Sequence, residues 1–153
     1  MRSFKKMRVA MGLVLVALSC QVQSAAGATD ASGTPATVNA DIYGRWRIVK
    51  VLDYADITAI TERQARALVG KAVVIAKDKF VFARETCDAP TYERTVEDTA
   101  KTMREKGHVS SVNMGLPDPV TVIDVGCTDI FLKRPDLIVV HWNGFYFDAA
   151  RRR

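Results

Sequence analysis

The residues of this chain that can do chemistry are few and widely spaced. Three cysteines (Cys20, Cys87, Cys127) and two histidines (His108, His141) are the soft ligands and nucleophiles on offer. Cys87 and Cys127 stand 40 positions apart, and a bond between them is worth about 4 kcal/mol in the chain-entropy picture of a disulfide. A metal site would need a third and fourth ligand, and neither histidine lies at ligand spacing from either cysteine. The disulfide is therefore the expected use of this pair. No Gly-x-Ser-x-Gly elbow, His-Glu-x-x-His helix or phosphate loop occurs. Glu85, Asp88, Glu93 and Asp124 are scattered carboxylates, among which spacing picks out no acid–base pair. His141 lies in the apolar run LIVVHW, where a packed or barrel-end histidine is expected. Its neighbour Trp142, beside an Asn-Gly turn, reads either as a recognition aromatic at a rim or as core. Met103, Met114 and Leu116 offer an adaptable apolar contact surface, or else fill gaps. No catalytic residue, cofactor site or metal site is assigned, and a noncatalytic protein is expected.

The elements that must position these residues read mostly as strands. YGRWRIVKV (43–51) alternates Arg45 and Arg47 with Trp46 and Ile48, the period of a strand with one wet face. In TERQARALVG, Thr61 and Gln64 make a capping-box pair and Gly70 marks a stop, so one short helix is expected, with Ala65, Leu68 and Val69 against the core. KAVVIAK and FVFAR read as a hairpin, and TYERTV as a further strand after the Cys87 loop. Residues 97–118 are read as a helical turn or exposed loop, with a strand at Val109 to Val112. PVTVIDVGC and DIFL are strand-like, Arg134-Pro135-Asp136 is a turn, and LIVVHW and FYFDAA flank Asn143-Gly144, the pair that a type I′ hairpin turn requires. About seven short strands, one short helix after the first strand and no βαβ alternation predict a mainly β fold, a small antiparallel barrel, closed or nearly closed. Closure removes the exposed edges that such strands would otherwise present.

The ends of the chain carry other information. MRSFKKMR followed by VAMGLVLVALSC and SAAGA has the basic, apolar and small-residue order of a secretory signal, with cleavage expected after Ala26 or Ala28. The alternative is a lipoprotein signal ending at Ala17-Leu18-Ser19-Cys20, the one route by which a membrane would be engaged. Residues 1–28 hold Arg2, Lys5, Lys6 and Arg8 and no acid, so the overall charge of +5 falls to +1 in the remainder. A nucleic-acid partner is not expected, because apart from Arg151-Arg152-Arg153, read as a solvated tail, no basic cluster is left. Residues 29–41, TDASGTPATVNAD, read as a flexible lead-in to a single domain over 42–153. A signal and an even cysteine pair predict a periplasmic or secreted protein.

Gly44-Arg45-Trp46 at the head of the first strand resembles the Gly-x-Trp signature of lipocalins and the wider calycin barrels. The resemblance implies that Trp46 plugs one barrel end and that a basic residue after the last strand, Arg151 or else Arg152, packs across its indole. Such a stack would join a cation to an aromatic face. The chain departs from the family: it is shorter, its helix follows the first strand, and the helix after the eighth strand is missing. Compact bacterial inhibitors of secreted metalloproteases, in the same superfamily, are similar to this chain in size; in those the N-terminal arm does the binding.

Two functional expectations follow. One is a periplasmic binding protein that holds a small apolar or amphipathic ligand in a lipocalin-like barrel. The other is an inhibitor or immunity protein that blocks a protease, cell-wall hydrolase or toxin by protein contact. An enzyme using His141 and a carboxylate ranks below both. Large residues expected in the core (Trp46, Phe80, Phe82, Phe131, Phe145, Phe147) point to a filled interior.

Overall fold

The computed structural model describes residues 38–152. The expected signal peptide, its cleavage site and Cys20 lie outside the described residues, as does Arg153. In chain order the elements are β1 (Gly44–Tyr54), α1 (Glu62–Arg66), β2 (Ala72–Ala76), β3 (Lys79–Phe82), β4 (Glu85–Asp88), β5 (Glu93–Glu97), α2 (Thr99–Gly107), a 3₁₀ turn (Ser111–Asn113), β6 (Val120–Asp124), β7 (Asp129–Arg134), β8 (Leu137–Trp142) and β9 (Phe145–Arg151). All strand pairings are antiparallel, and the nine strands form one curled sheet in the order β4-β3-β2-β1-β9-β8-β7-β6-β5.

The first and last strands are neighbours at the centre of the sheet, paired from Trp46 with Arg151 to Tyr54 with Phe145. The period-2 alternation of β1 turns Trp46 and Ile48 into the curl and leaves Arg45 and Arg47 exposed outside it. Inside the curl, one cluster joins Trp46, Ile48, Val73, Ile75, Phe80, Phe82, Ile123, Ile138, Val140, Trp142 and Phe147. Outside it, Val120, Val122, Phe131, Val139 and Tyr146 pack under α2 and the 3₁₀ turn with Met103 and Met114. The sheet thus has two apolar faces over β6 to β9 and one over β1 to β4.

Closure is corrected. The sheet ends at β4 on one side and β5 on the other, and these two do not pair, so the described residues form an open half-barrel, compatible with a calycin-like fold. Both edge strands are short, exposed and charged (Glu85, Asp88; Glu93, Arg94, Glu97), which blunts them against foreign strands without closure. Side chains span the gap instead of a ladder. Cys87 of β4 is bonded to Cys127 in the turn after β6, and the Tyr92 hydroxyl donates to the Ala76 carbonyl at 2.6 Å.

The single-helix expectation is corrected as well: the longer helix is α2, between β5 and β6. Asp98 caps it by accepting from the Lys101 N–H at 2.7 Å, and His108 ends it in the left-handed conformation (φ 54°). Its buried face is Thr99, Thr102 and Met103, helical spacing that two threonines hid from a hydropathy reading. α1 carries the Thr61–Gln64 capping box, but it stops by Ala67, and Val69 is 43% exposed rather than packed in the core. No strand forms at 109–112, where the 3₁₀ turn begins. Asn143 (φ 51°) and Gly144 (φ 84°) take the two positive-φ positions of the β8–β9 turn. No helix among the described residues is long and apolar enough to cross a membrane, and the disulfide fits a compartment where such bonds persist.

Candidate functional site

β1 and β9 meet at Trp46 and Arg151, and this pairing builds one end of the curl. Trp46 is 1% exposed, and its indole N–H donates to the Ile42 carbonyl at 2.8 Å. The Arg151 guanidinium carbon lies 4.1 Å from the ring centroid. Its Nη1 donates to the Tyr43 carbonyl at 2.9 Å and Nε to the Pro135 carbonyl at 3.4 Å, with Nη2 on the Asp41 carbonyl. Gly44 is required beneath it: at φ 139° a side chain is strained, and a Cβ would stand 3.1 Å from Arg151 Nη1. From the other edge, Arg94 of β5 donates to both Asp41 carboxylate oxygens (2.7 and 2.8 Å) and to Asn39 Oδ1 (2.8 Å). Residues 38–41, expected to be part of a flexible lead-in, are thus clamped between two arginines, with Asn39 buried; the folded unit starts before residue 42.

A recess of about 350 Å³ opens beside this plug. Its walls are the side chains of Ile42, Trp46, Leu132, Ile138, Pro117, Pro135 and Thr121, and Asp41, Lys133 and Arg134 stand at its margin, Asp41 held by Arg94. Lys133 is already committed to Asp148 at 3.0 Å. Arg134 is the freer cation, paired only at 3.5 Å with Asp136, and both of those side chains are mostly exposed. The recess lies at the small end of the range for ligand pockets, roughly 300–1,000 Å³, and can hold a short apolar chain with a negative head.

His141 lies toward the opposite end, in a cleft of about 280 Å³ with Asp56, Ile57, Glu105, Gly107 and His108. Its ring stacks on Tyr146 (centroids 4.5 Å apart, 13° between planes), and Nδ1 is 3.8 Å from Asp129 Oδ2. Asp129 also takes the Lys106 ammonium at 2.9 Å. Burial pushes the Asp129 carboxyl upward, but His141 and the Lys106 cation outweigh it and hold the group below the usual carboxylate range. Burial, then the charges of Asp129 and Asp53, pushes the Tyr146 hydroxyl up to about 12. His141 Nε2 and the Tyr146 hydroxyl are buried without partners. His141 thus forms part of the cleft wall, with Nε2 turned inward and its ring face on Tyr146. Among the described residues no three His, Cys, Asp or Glu side chains gather to hold a metal ion.

The remaining expected contact residues move into the core. Met103 and Met114 are both 0% exposed, buried between α2, the 3₁₀ turn and the outer face of β6 to β9, so they fill gaps and form no contact surface. Trp142 is 7% exposed and packs against Phe80 and Phe82 (centroids 6.0 and 5.4 Å), which places it in the core rather than at a rim. The sequence reading missed the recess, since its walls come from residues 41–46, 117–121 and 132–138 and no local pattern joins them. No protein-family model, curated protein or solved structure matches the chain.

Proposed function

We propose that the protein is an exported, noncatalytic binding protein whose ligand is a small amphipathic anion seated in the recess beside Trp46. The recess itself supports this reading: it is the place where the inner cluster stops and apolar walls meet solvent next to Lys133 and Arg134, while its one carboxylate, Asp41, is neutralised by Arg94. The apolar part of the ligand lies against Leu132, Pro117 and Pro135, above the buried Ile138 and Trp46, and its head faces Arg134. Holding and release need no chemistry from the protein, in keeping with a histidine whose free nitrogen is shut away.

Trp46 is also a reporter. In a Trp142→Phe background, titration with decanoate is expected to change its fluorescence saturably. Thr121→Phe, which fills the recess from β6, should abolish the change, and Arg134→Ala should weaken it severalfold. An unchanged signal, or equal binding by Thr121→Phe, would sink the reading.

A filled interior supports a second reading, in which the protein blocks an enzyme by surface contact. Trp46, Phe80, Phe82 and Phe147 leave the middle of the curl to their own side chains. That reading requires a captured periplasmic enzyme to lose activity on titration with the purified protein.

A further inference from the structure

Arg45 and Arg47 face outward from β1, and the register sets Arg152 beside them: Trp46 pairs with Arg151, and the Arg152 N–H donates to the Arg45 carbonyl at 2.9 Å. All three side chains are exposed. Side chains two apart on a strand stand roughly 6.5–7 Å from each other, and directly opposed ones have Cβ atoms about 4.5–5.5 Å apart. Three guanidinium groups therefore share one small area, although Arg152 is far from the others in sequence.

Among the described residues no carboxylate lies within salt-bridge distance of any of the three. Like charges opposed on neighbouring strands destabilise a sheet. Their strand neighbours are small: Arg45 pairs with Val74, and Arg47 with Ala72 and Ala150. Exposed Val49 continues the same face of β1. α2 and the 3₁₀ turn cover the outer sheet only over β6 to β9, so this part carries no helix. The result is a bare patch on the outer face of the curled sheet, carrying uncompensated positive charge.

We propose that Arg45, Arg47 and Arg152 form a docking face for a partner protein that presents carboxylates. Charge complementarity names the sign, and residue type narrows the class. All three cations are arginines, whose planar forks pair bidentately with carboxylates and are enriched at interface hot spots. An anionic membrane is the lesser fit, because lipid-binding clusters use roughly four to eight basic residues, and the three arginines with Lys50, which the register sets opposite Asp148 on the same face, only reach the bottom of that range. A bare face with small neighbours also lets a partner surface approach the backbone closely. The proposal is independent of the recess, which opens on the inner side of the sheet.

The test uses a fluorescein-labelled peptide of alternating glutamate and valine, read by anisotropy, with phosphatidylglycerol vesicles as a second arm. The peptide is expected to bind saturably and more weakly as salt rises. Arg45→Ala/Arg47→Ala and Arg152→Ala should each weaken binding at least tenfold, and Arg47→Lys should fall between them and the parent. Arg63→Ala, which removes an exposed arginine from α1, should leave binding unchanged. All variants should melt no lower than the parent, the arginine deletions slightly higher because a repulsion is relieved, and keep its decanoate titration, so a loss of peptide binding is separable from misfolding and from failure of the recess. No peptide binding, equal loss in Arg63→Ala, or binding to vesicles alone would each overturn the proposal.

Discussion

Trp46 and Arg151 show how much one contact can organise. The indole is a buried plate, and the guanidinium lies across it while tying Asp41, Tyr43 and Pro135 to the last strand. Trp46→Ala should cost about 3–5 kcal/mol, the range for deleting a large buried aromatic, measured by urea denaturation; a loss within error would show that the plate is dispensable. Arg151→Lys keeps the charge but cannot reach three carbonyls at once, so it should recover only part of what Arg151→Ala loses. Gly144 is constrained differently. A Cβ there would stand 2.4 Å from the Ile57 carbonyl oxygen and 2.8 Å from Thr58 Cα, both backbone. Gly144→Ala should therefore lower the thermal midpoint, and the β1–α1 loop that crosses the hairpin should be the first segment to lose amide protection.

At the scale of elements, the open edge of the sheet is held by side chains and one covalent bond. Replacing Cys87 and Cys127 with serine releases the 40-residue separation, and the chain-entropy cost predicts a loss of about 4 kcal/mol. Mass analysis of the purified protein before and after reduction checks the bond, since two free thiols in the unreduced sample would remove it from the account. α2 depends on Asp98, whose carboxylate takes the Lys101 N–H. Asp98→Ala should cost about 1 kcal/mol, and with it the cover over Met103 and Met114 loosens. The contrast between the two helices explains what was legible. Thr61-x-x-Gln64 announced α1 in four residues, whereas α2 buries Thr99 and Thr102 with Met103, a face too polar to stand out until the outer sheet is placed beneath it.

For the whole molecule, stability has a readable pH window. Asp129 and Glu97 are held below their ordinary values, Asp129 against burial by His141 and Lys106, and Glu97 by hydrogen bonds from Thr95 and Thr102. Their contribution is complete above the ordinary carboxylate value of about 4 and is lost as pH falls through their lower folded values. Tyr92 and Tyr146 work at the other limit. Burial is the main cause that pushes each to about 12. The unfolded chain ionises near pH 10, so stability is constant below that and declines between about 10 and 12. The urea midpoint followed from pH 2 to 12 checks both flanks. Tyr146→Phe should remove part of the alkaline decline at no cost near pH 7, because the lost hydroxyl is buried without a partner.

What the sequence determined by itself was local or countable. Alternation set the two faces of β1, Asn143-Gly144 set the last hairpin, and the pair Cys87 and Cys127, with no histidine at ligand spacing, set the bond. Each follows from backbone geometry within a few residues or from arithmetic on residue types. Tertiary structure alone decided whether β4 and β5 would meet, whether the methionines would face water, and which arginines would share a surface. Those outcomes depend on how far a sheet curls and in what register distant strands pair. Both are set by the summed packing of two apolar faces, a quantity that no short stretch of chain contains.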